Sequence, residues 1–134
     1  MRNRILVIDD DKDFTLCLKV FLGSRGYSVI EANSAVEGGL CLGAEKPDLI
    51  IMDLRMSGID GFEACGVIRK NPRTMDIPIL VVSGMDYEEC ARKSLEAGAN
   101  GYLSKPMNHD DLIKEIERLL KIEPARDEKK NTDH

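Results

Sequence analysis

A doubly wound α/β fold built on one parallel sheet is what this sequence predicts. Three observations carry it: short, wholly apolar runs at 5–8, 49–52 and 79–82; longer segments of helical period between them; and capping or turn residues at the junctions. Apolar runs without alternation suit strands buried on both faces, as in a parallel sheet covered by helices.

In chain order, the first strand is Ile5–Ile8. The helix after it carries Phe14, Cys17, Leu18, Phe21 and Leu22 on one stripe and ends near Gly26. Ser28–Ala32 reads as a second, more polar strand that fits a sheet edge. Ser34-Ala-Val-Glu37 has the form of a capping box for the second helix. Leu49–Met52 is the third strand, and Asp60-Gly-Phe-Glu63 starts the third helix with an acidic version of the same signal. The fourth strand ends in Ser83-Gly84, and Asp86-Tyr-Glu-Glu89 opens the fourth helix. Apolar residues of that helix are few and poorly phased, so it is expected to be the least firmly packed. Gly98 ends it, and Gly101–Ser104 is the fifth strand. Asn108 caps a last helix whose stripe is Leu112, Ile113, Ile116, Leu119 and Leu120. Strand and helix alternating in this way imply right-handed crossovers and a flavodoxin-like (βα)5 sheet of order 2-1-3-4-5. Residues 1–123 form the predicted domain. The polar stretch 124–134, begun by Pro124, is expected to be a disordered tail or a truncated linker.

Composition narrows the function. With 19 Lys plus Arg against 24 Asp plus Glu, the chain has a formal charge of −5, which disfavours direct nucleic-acid binding. No apolar run reaches the ~20 residues of a membrane span, and Met1-Arg2-Asn3-Arg4 leads into no signal-peptide pattern, so the expectation is a cytoplasmic protein. The cysteines, 17, 41, 65 and 90, recur at a nearly constant interval, one to each of four successive helices. None forms a C-x-x-C pair, which argues against zinc, and they read as small core hydrophobes.

Ligands of open parallel sheets bind beyond the carboxyl ends of the strands. There the sequence places Asp9-Asp10-Asp11, Asp53, Ser83 and Lys105-Pro106. Carboxylates gathered in one site repel, and a cation relieves that repulsion. Oxygen donors without His or Cys select a hard ion, and Mg²⁺ fits best because it leaves positions for phosphate oxygens. The Asp-Asp-Asp turn would expel a phosphate unless a metal intervened, which argues against a flavin or dinucleotide loop. With Mg²⁺ bound, Asp53 can act as a nucleophile towards a phosphorylated donor and form an acyl phosphate, while Lys105 and Ser83 contact phosphoryl oxygens.

The motifs 5–11 (ILVIDDD), 51–61 (IMDLRMSGIDG), 81–84 (VVSG) and 101–106 (GYLSKP) resemble the receiver domain of two-component response regulators, over about residues 4–122. The resemblance implies that Asp53 is the phosphoacceptor. It makes Asp10 a direct metal ligand, Asp9 a ligand through water and Arg55 a ligand by its backbone carbonyl. Ser83 becomes the switch hydroxyl, Tyr102 the switching aromatic and Lys105 the essential lysine, before a cis Pro106. It implies a histidine kinase or phosphotransfer protein as donor, and a downstream protein or output domain controlled through the face of fourth helix, fifth strand and fifth helix. A homodimer is left open. Ser57 departs from the family's usual Pro, and Met85 falls where the family tunes water access to the phosphoryl group. A phosphatase of the haloacid dehalogenase type is the rival enzyme reading, but Lys12-Asp13 breaks its motif after the first strand. The expectation is therefore a signalling module that assists its own phosphorylation and dephosphorylation, not a conventional enzyme.

Overall fold

A computed structural model describes residues 3–56, 59–84 and 87–121. The elements are β1 (Arg4–Ile8), α1 (Lys12–Ser24), β2 (Ser28–Ala32), α2 (Ala35–Ala44), β3 (Leu49–Met52), β4 (Arg55–Met56), β5 (Ile59–Asp60), α3 (Gly61–Lys70), β6 (Ile79–Ser83), α4 (Tyr87–Ala97), β7 (Gly101–Ser104) and α5 (His109–Leu120). The main sheet is parallel throughout, in the order β2-β1-β3-β6-β7. This is the flavodoxin-like order expected, with Ser28–Ala32 at an edge. The antiparallel hairpin β4–β5 was not foreseen; two-residue strands are too short to leave a periodic signal.

The continuous apolar runs resolve into two faces because successive strand side chains point to opposite sides. Ile5, Val7, Leu49, Ile51, Leu80 and Val82 pack with Leu18 and Leu22 of α1 and with Leu112, Ile116 and Leu119 of α5. Leu6, Ile8, Ile50, Met52, Ile79 and Val81 pack on the other face with Cys65 and Ile68 of α3 and Cys90 of α4. Each such fully buried aliphatic side chain contributes about 1.5–3 kcal/mol relative to exposure.

The caps follow the sequence signals. Ser34 Oγ accepts from the Glu37 amide, and the Glu37 carboxylate accepts from the amide of Asn33, one residue further out than a regular capping box. Asp60 and Asn108 cap α3 and α5. Gly26 and Gly98 take φ of +94° and +117° at the ends of α1 and α4, a conformation that side chains disfavour.

One cysteine departs from the core reading. All four lie on helices, but Cys17 is exposed while Cys65 and Cys90 are buried. Leu18 and Leu22 fix which side of α1 faces the sheet, and Cys17 lies roughly 100° round from Leu18. Among its described positions α4 buries only small side chains, Cys90 and Ser94, and leaves Leu95 exposed. Ser57, Met85, Asp86 and the stretch 124–134 lie outside the described residues.

Candidate functional site

The carboxyl ends of β1 and β3 are neighbours in the sheet, so Asp9 and Asp53 follow adjacent strands. Each is continued by a backbone bond: the Asp9 amide donates to O of Ala32, the last residue of β2, and the Asp53 amide donates to Ile8 O. Asp9, Asp10 and Asp53 each offer a carboxylate oxygen, and these oxygens lie within 4.8 Å of one another. Asp9 and Asp53 are buried, whereas Asp10 is exposed. Asp11 does not join them. Its Oδ1 accepts from the amides of Asp13 and Phe14 and caps α1.

Lys105 enters from the far side of the sheet. Its Nζ lies 2.8 Å from Asp9 Oδ2 and 3.7 Å from Asp53 Oδ2, and sits 4.1 Å above the centroid of Phe14. The Lys105 amide donates to Ser83 O at 2.8 Å, extending the β6–β7 ladder past Ser83 and Ser104. The Lys105–Pro106 peptide is cis. Burial raises the Asp9 carboxyl above its usual range, against the opposing hydrogen bonds from Lys105 and the Asp11 amide.

Ser83 is fully buried and is the last residue of β6 rather than a loop residue. Met52 of β3 pairs with Val81, which sets Ser83 just beyond the level of Asp53. Tyr102 is buried in the same core layer as Cys90 of α4. Arg55 opens the hairpin, exposed, and lines a groove of about 570 Å³ with Asp10, Met56, Asp60 and Phe62. Gly61 lets α3 back onto the loop after β3. A Cβ there would fall 2.6 Å from Leu54 Cα and 3.0 Å from Asp53 O.

Sequence reasoning missed the groups that hold this loop. Asn33 Nδ2 donates to Asp9 O and to Thr15 Oγ1, and Thr15 Oγ1 donates to Glu31 Oε1. Phe14 was legible as part of an apolar stripe. Its role under the lysine had no signal beyond its place in the first turn of α1, after the acidic turn.

The donor set suits a hard divalent ion. It holds only carboxylate oxygens, close together, two of them buried where their repulsion is least screened. The site therefore fits Mg²⁺.

A flavodoxin-like sheet bearing three convergent carboxylates and a lysine at its carboxyl rim defines a signalling domain of the receiver class. The model of the response regulator receiver domain matches residues 5–117, and the chain belongs to that family. It is 33% identical over 117 residues to protein PilH of Pseudomonas aeruginosa, covering 87% of this chain and 97% of PilH. It is 37% identical over 124 residues to the transcriptional regulatory protein KdpE of Staphylococcus aureus, covering 90% of this chain and 52% of KdpE. With the transcriptional regulator RpaA of Synechocystis the figures are 32% over 118 residues, 88% and 49%. The chain thus spans about half the length of these two transcriptional regulators. Among solved structures, Vibrio cholerae chemotaxis protein CheY4 superposes with a TM-score of 0.83 at 27% identity, covering 89% of this chain and 99% of that one. A receiver domain protein of Methanospirillum hungatei gives 0.82 at 31%, covering 90% and 94%.

The chain is thus a receiver domain of two-component systems, a family of signalling domains. Domains of this family generally bind Mg²⁺ and interact with histidine kinases and output domains. Among the described residues, no helix is long and apolar enough to cross a membrane.

Proposed function

We propose that Asp53 accepts a phosphoryl group from the phosphohistidine of a histidine kinase or phosphotransfer protein. The observation that carries this reading is the cluster of Asp9, Asp10 and Asp53 with the Lys105 ammonium at its border. A carboxylate oxygen of Asp53 attacks phosphorus, the phosphorus–nitrogen bond to the donor imidazole breaks, and the electron pair leaves with that nitrogen. Asp9, Asp10, Asp53 and the Arg55 carbonyl would hold Mg²⁺, with Asp9 acting through water. The ion supplies positive charge against the phosphoryl oxygens. Lys105 and the Ser83 hydroxyl contact the remaining oxygens. The same groups assist hydrolysis of the acyl phosphate when water is the acceptor.

Movement of Ser83 towards the phosphoryl group biases Tyr102 and shifts the face formed by α4, β7 and α5, which controls a partner or an output domain. The small side chains by which α4 is anchored support that choice of moving element. The test is intact mass after incubation with acetyl phosphate and Mg²⁺. One phosphoryl adduct per chain is expected, absent without Mg²⁺ and absent in Asp53→Asn. No adduct in the parent, or an adduct that survives in Asp53→Asn, refutes the assignment.

A further inference from the structure

Between α2, α3 and the sheet lies a cavity of about 110 Å³. Its floor is Ile8 and Met52, the last residues of β1 and β3, and its roof is Met56 and Ile59 of the hairpin. The void has a cause in the sequence: Gly38 and Gly39 of α2 and Ala64 of α3 face it with almost no side chain. A Cβ on Gly38 would lie 2.7 Å from Ile8 Cδ1, a side-chain tip that would have to shift to admit it. Gly39 is exposed at the mouth, and a Cβ there would meet nothing within 4 Å.

Every residue lining the cavity is apolar. The pocket opens to solvent beside Gly39 and the exposed Val67, and its apolar lining offers a water none of the roughly 2–4 polar partners that would hold it in place. Methionines in floor and roof add adaptable walls that make favourable sulfur–aromatic contacts. We propose that this cavity is a binding site for a neutral molecule built on a single aromatic ring. The site uses no residue of the acid cluster and needs neither Mg²⁺ nor a phosphoryl donor, so it stands or falls apart from the function proposed above.

The test titrates benzene into the full chain carrying ¹³C-methyl methionine. The Met52 and Met56 methyl resonances should shift saturably, with Met75 and Met107 unmoved. Ala64→Leu fills the cavity and Gly39→Leu closes its mouth, and each should weaken binding by about tenfold or more, a loss of ~1.4 kcal/mol or more. If Ala64→Leu does not fold, Gly39→Leu, at an exposed helix position, decides alone. The proposal is overturned if Met52 and Met56 stay unmoved up to the solubility limit of benzene. It is also overturned if Met75 and Met107 shift equally, or if the folded variants bind as the parent does.

Discussion

Lys105 is held chiefly by Asp9: its ammonium lies 2.8 Å from Asp9 Oδ2 and 3.7 Å from Asp53 Oδ2. Asp9 is almost wholly buried, so its charge depends on that partner. Lys105→Met should destabilise the metal-free protein by roughly 2–4 kcal/mol, and Asp9→Asn in the same chain should restore most of the loss. Urea unfolding of the two single variants and the double variant measures the coupling. A coupling below about 0.5 kcal/mol means the pair carries no special energy.

Asp10 is the exposed member of the acid cluster, and its loss relieves repulsion without opening the core. Without metal, Asp10→Asn should be at least as stable as the parent. Mg²⁺ should raise the parent's unfolding temperature, with ~2.7 kcal/mol gained at a hundredfold excess over Kd, and should leave the variant nearly unchanged. Thermal unfolding across a Mg²⁺ series checks this, and an equal response from both proteins removes Asp10 from the ligand set.

Two glycines of α3 should respond in opposite directions to alanine. A Cβ at Gly66 meets nothing within 4 Å, so Gly66→Ala should gain about 0.5–1 kcal/mol from helix propensity. At Gly61 the Cβ would strike Leu54 Cα at 2.6 Å, and backbone cannot step aside as a side-chain tip can. Gly61→Ala should lose roughly 1–3 kcal/mol and weaken Mg²⁺ binding by displacing the loop after Asp53. Stabilisation by both substitutions contradicts the close approach.

Arg69 clips the opposite pole of the sheet, and among the described residues it makes no salt bridge within 4.0 Å. Its guanidinium donates to the carbonyls of Gly98, Met75 and Ile77 and to Asn100 Oδ1, which also accepts from the Ile79 amide. Lysine cannot reproduce that planar fan of donors. Arg69→Lys should therefore destabilise by about 2–3 kcal/mol, with phosphoryl labelling of Asp53 unaltered in extent. Unfolding in urea read beside intact mass separates the two effects, and a neutral substitution dismisses the clip.

Burial pushes the Cys65 thiol up to about 11 from an ordinary value near 9. The folded state thus binds this proton more tightly than the unfolded chain does. Its contribution to stability is complete below pH 9 and is lost as pH rises towards 11. In the native protein a thiol reagent should label exposed Cys17 at once, and buried Cys65 and Cys90 only on unfolding. Labelling of Cys65 at the rate of Cys17 contradicts the packing of α3.

Much of this fold was legible because its signals are local. Three strands showed as unbroken apolar runs, and Ser34, Asp60 and Asn108 announced their helices by residue type alone. The site was legible as positions, since each strand end named its own residue. What the sequence could not tell was direction. Asp11 and Asp10 are adjacent acids, yet one caps a helix and the other joins the cluster, and backbone geometry alone decides between them. Cys17 was misplaced for a similar reason: a stripe of five residues is broader than the contact α1 makes. The Asn33–Thr15–Glu31 bonds link residues of three segments and have no periodicity to reveal them.

The bond from the Lys105 amide to Ser83 O has a wider consequence. Lys105 reaches Asp9 through its side chain, and Asp9 is tied by its own backbone to Ala32 and Asn33. The upper rim of the sheet is thereby laced from β7 and β6 through β1 to β2, one margin to the other. Lys105 and Ser83, beside Asp53, are joined in this way by hydrogen bonds to both outermost strands.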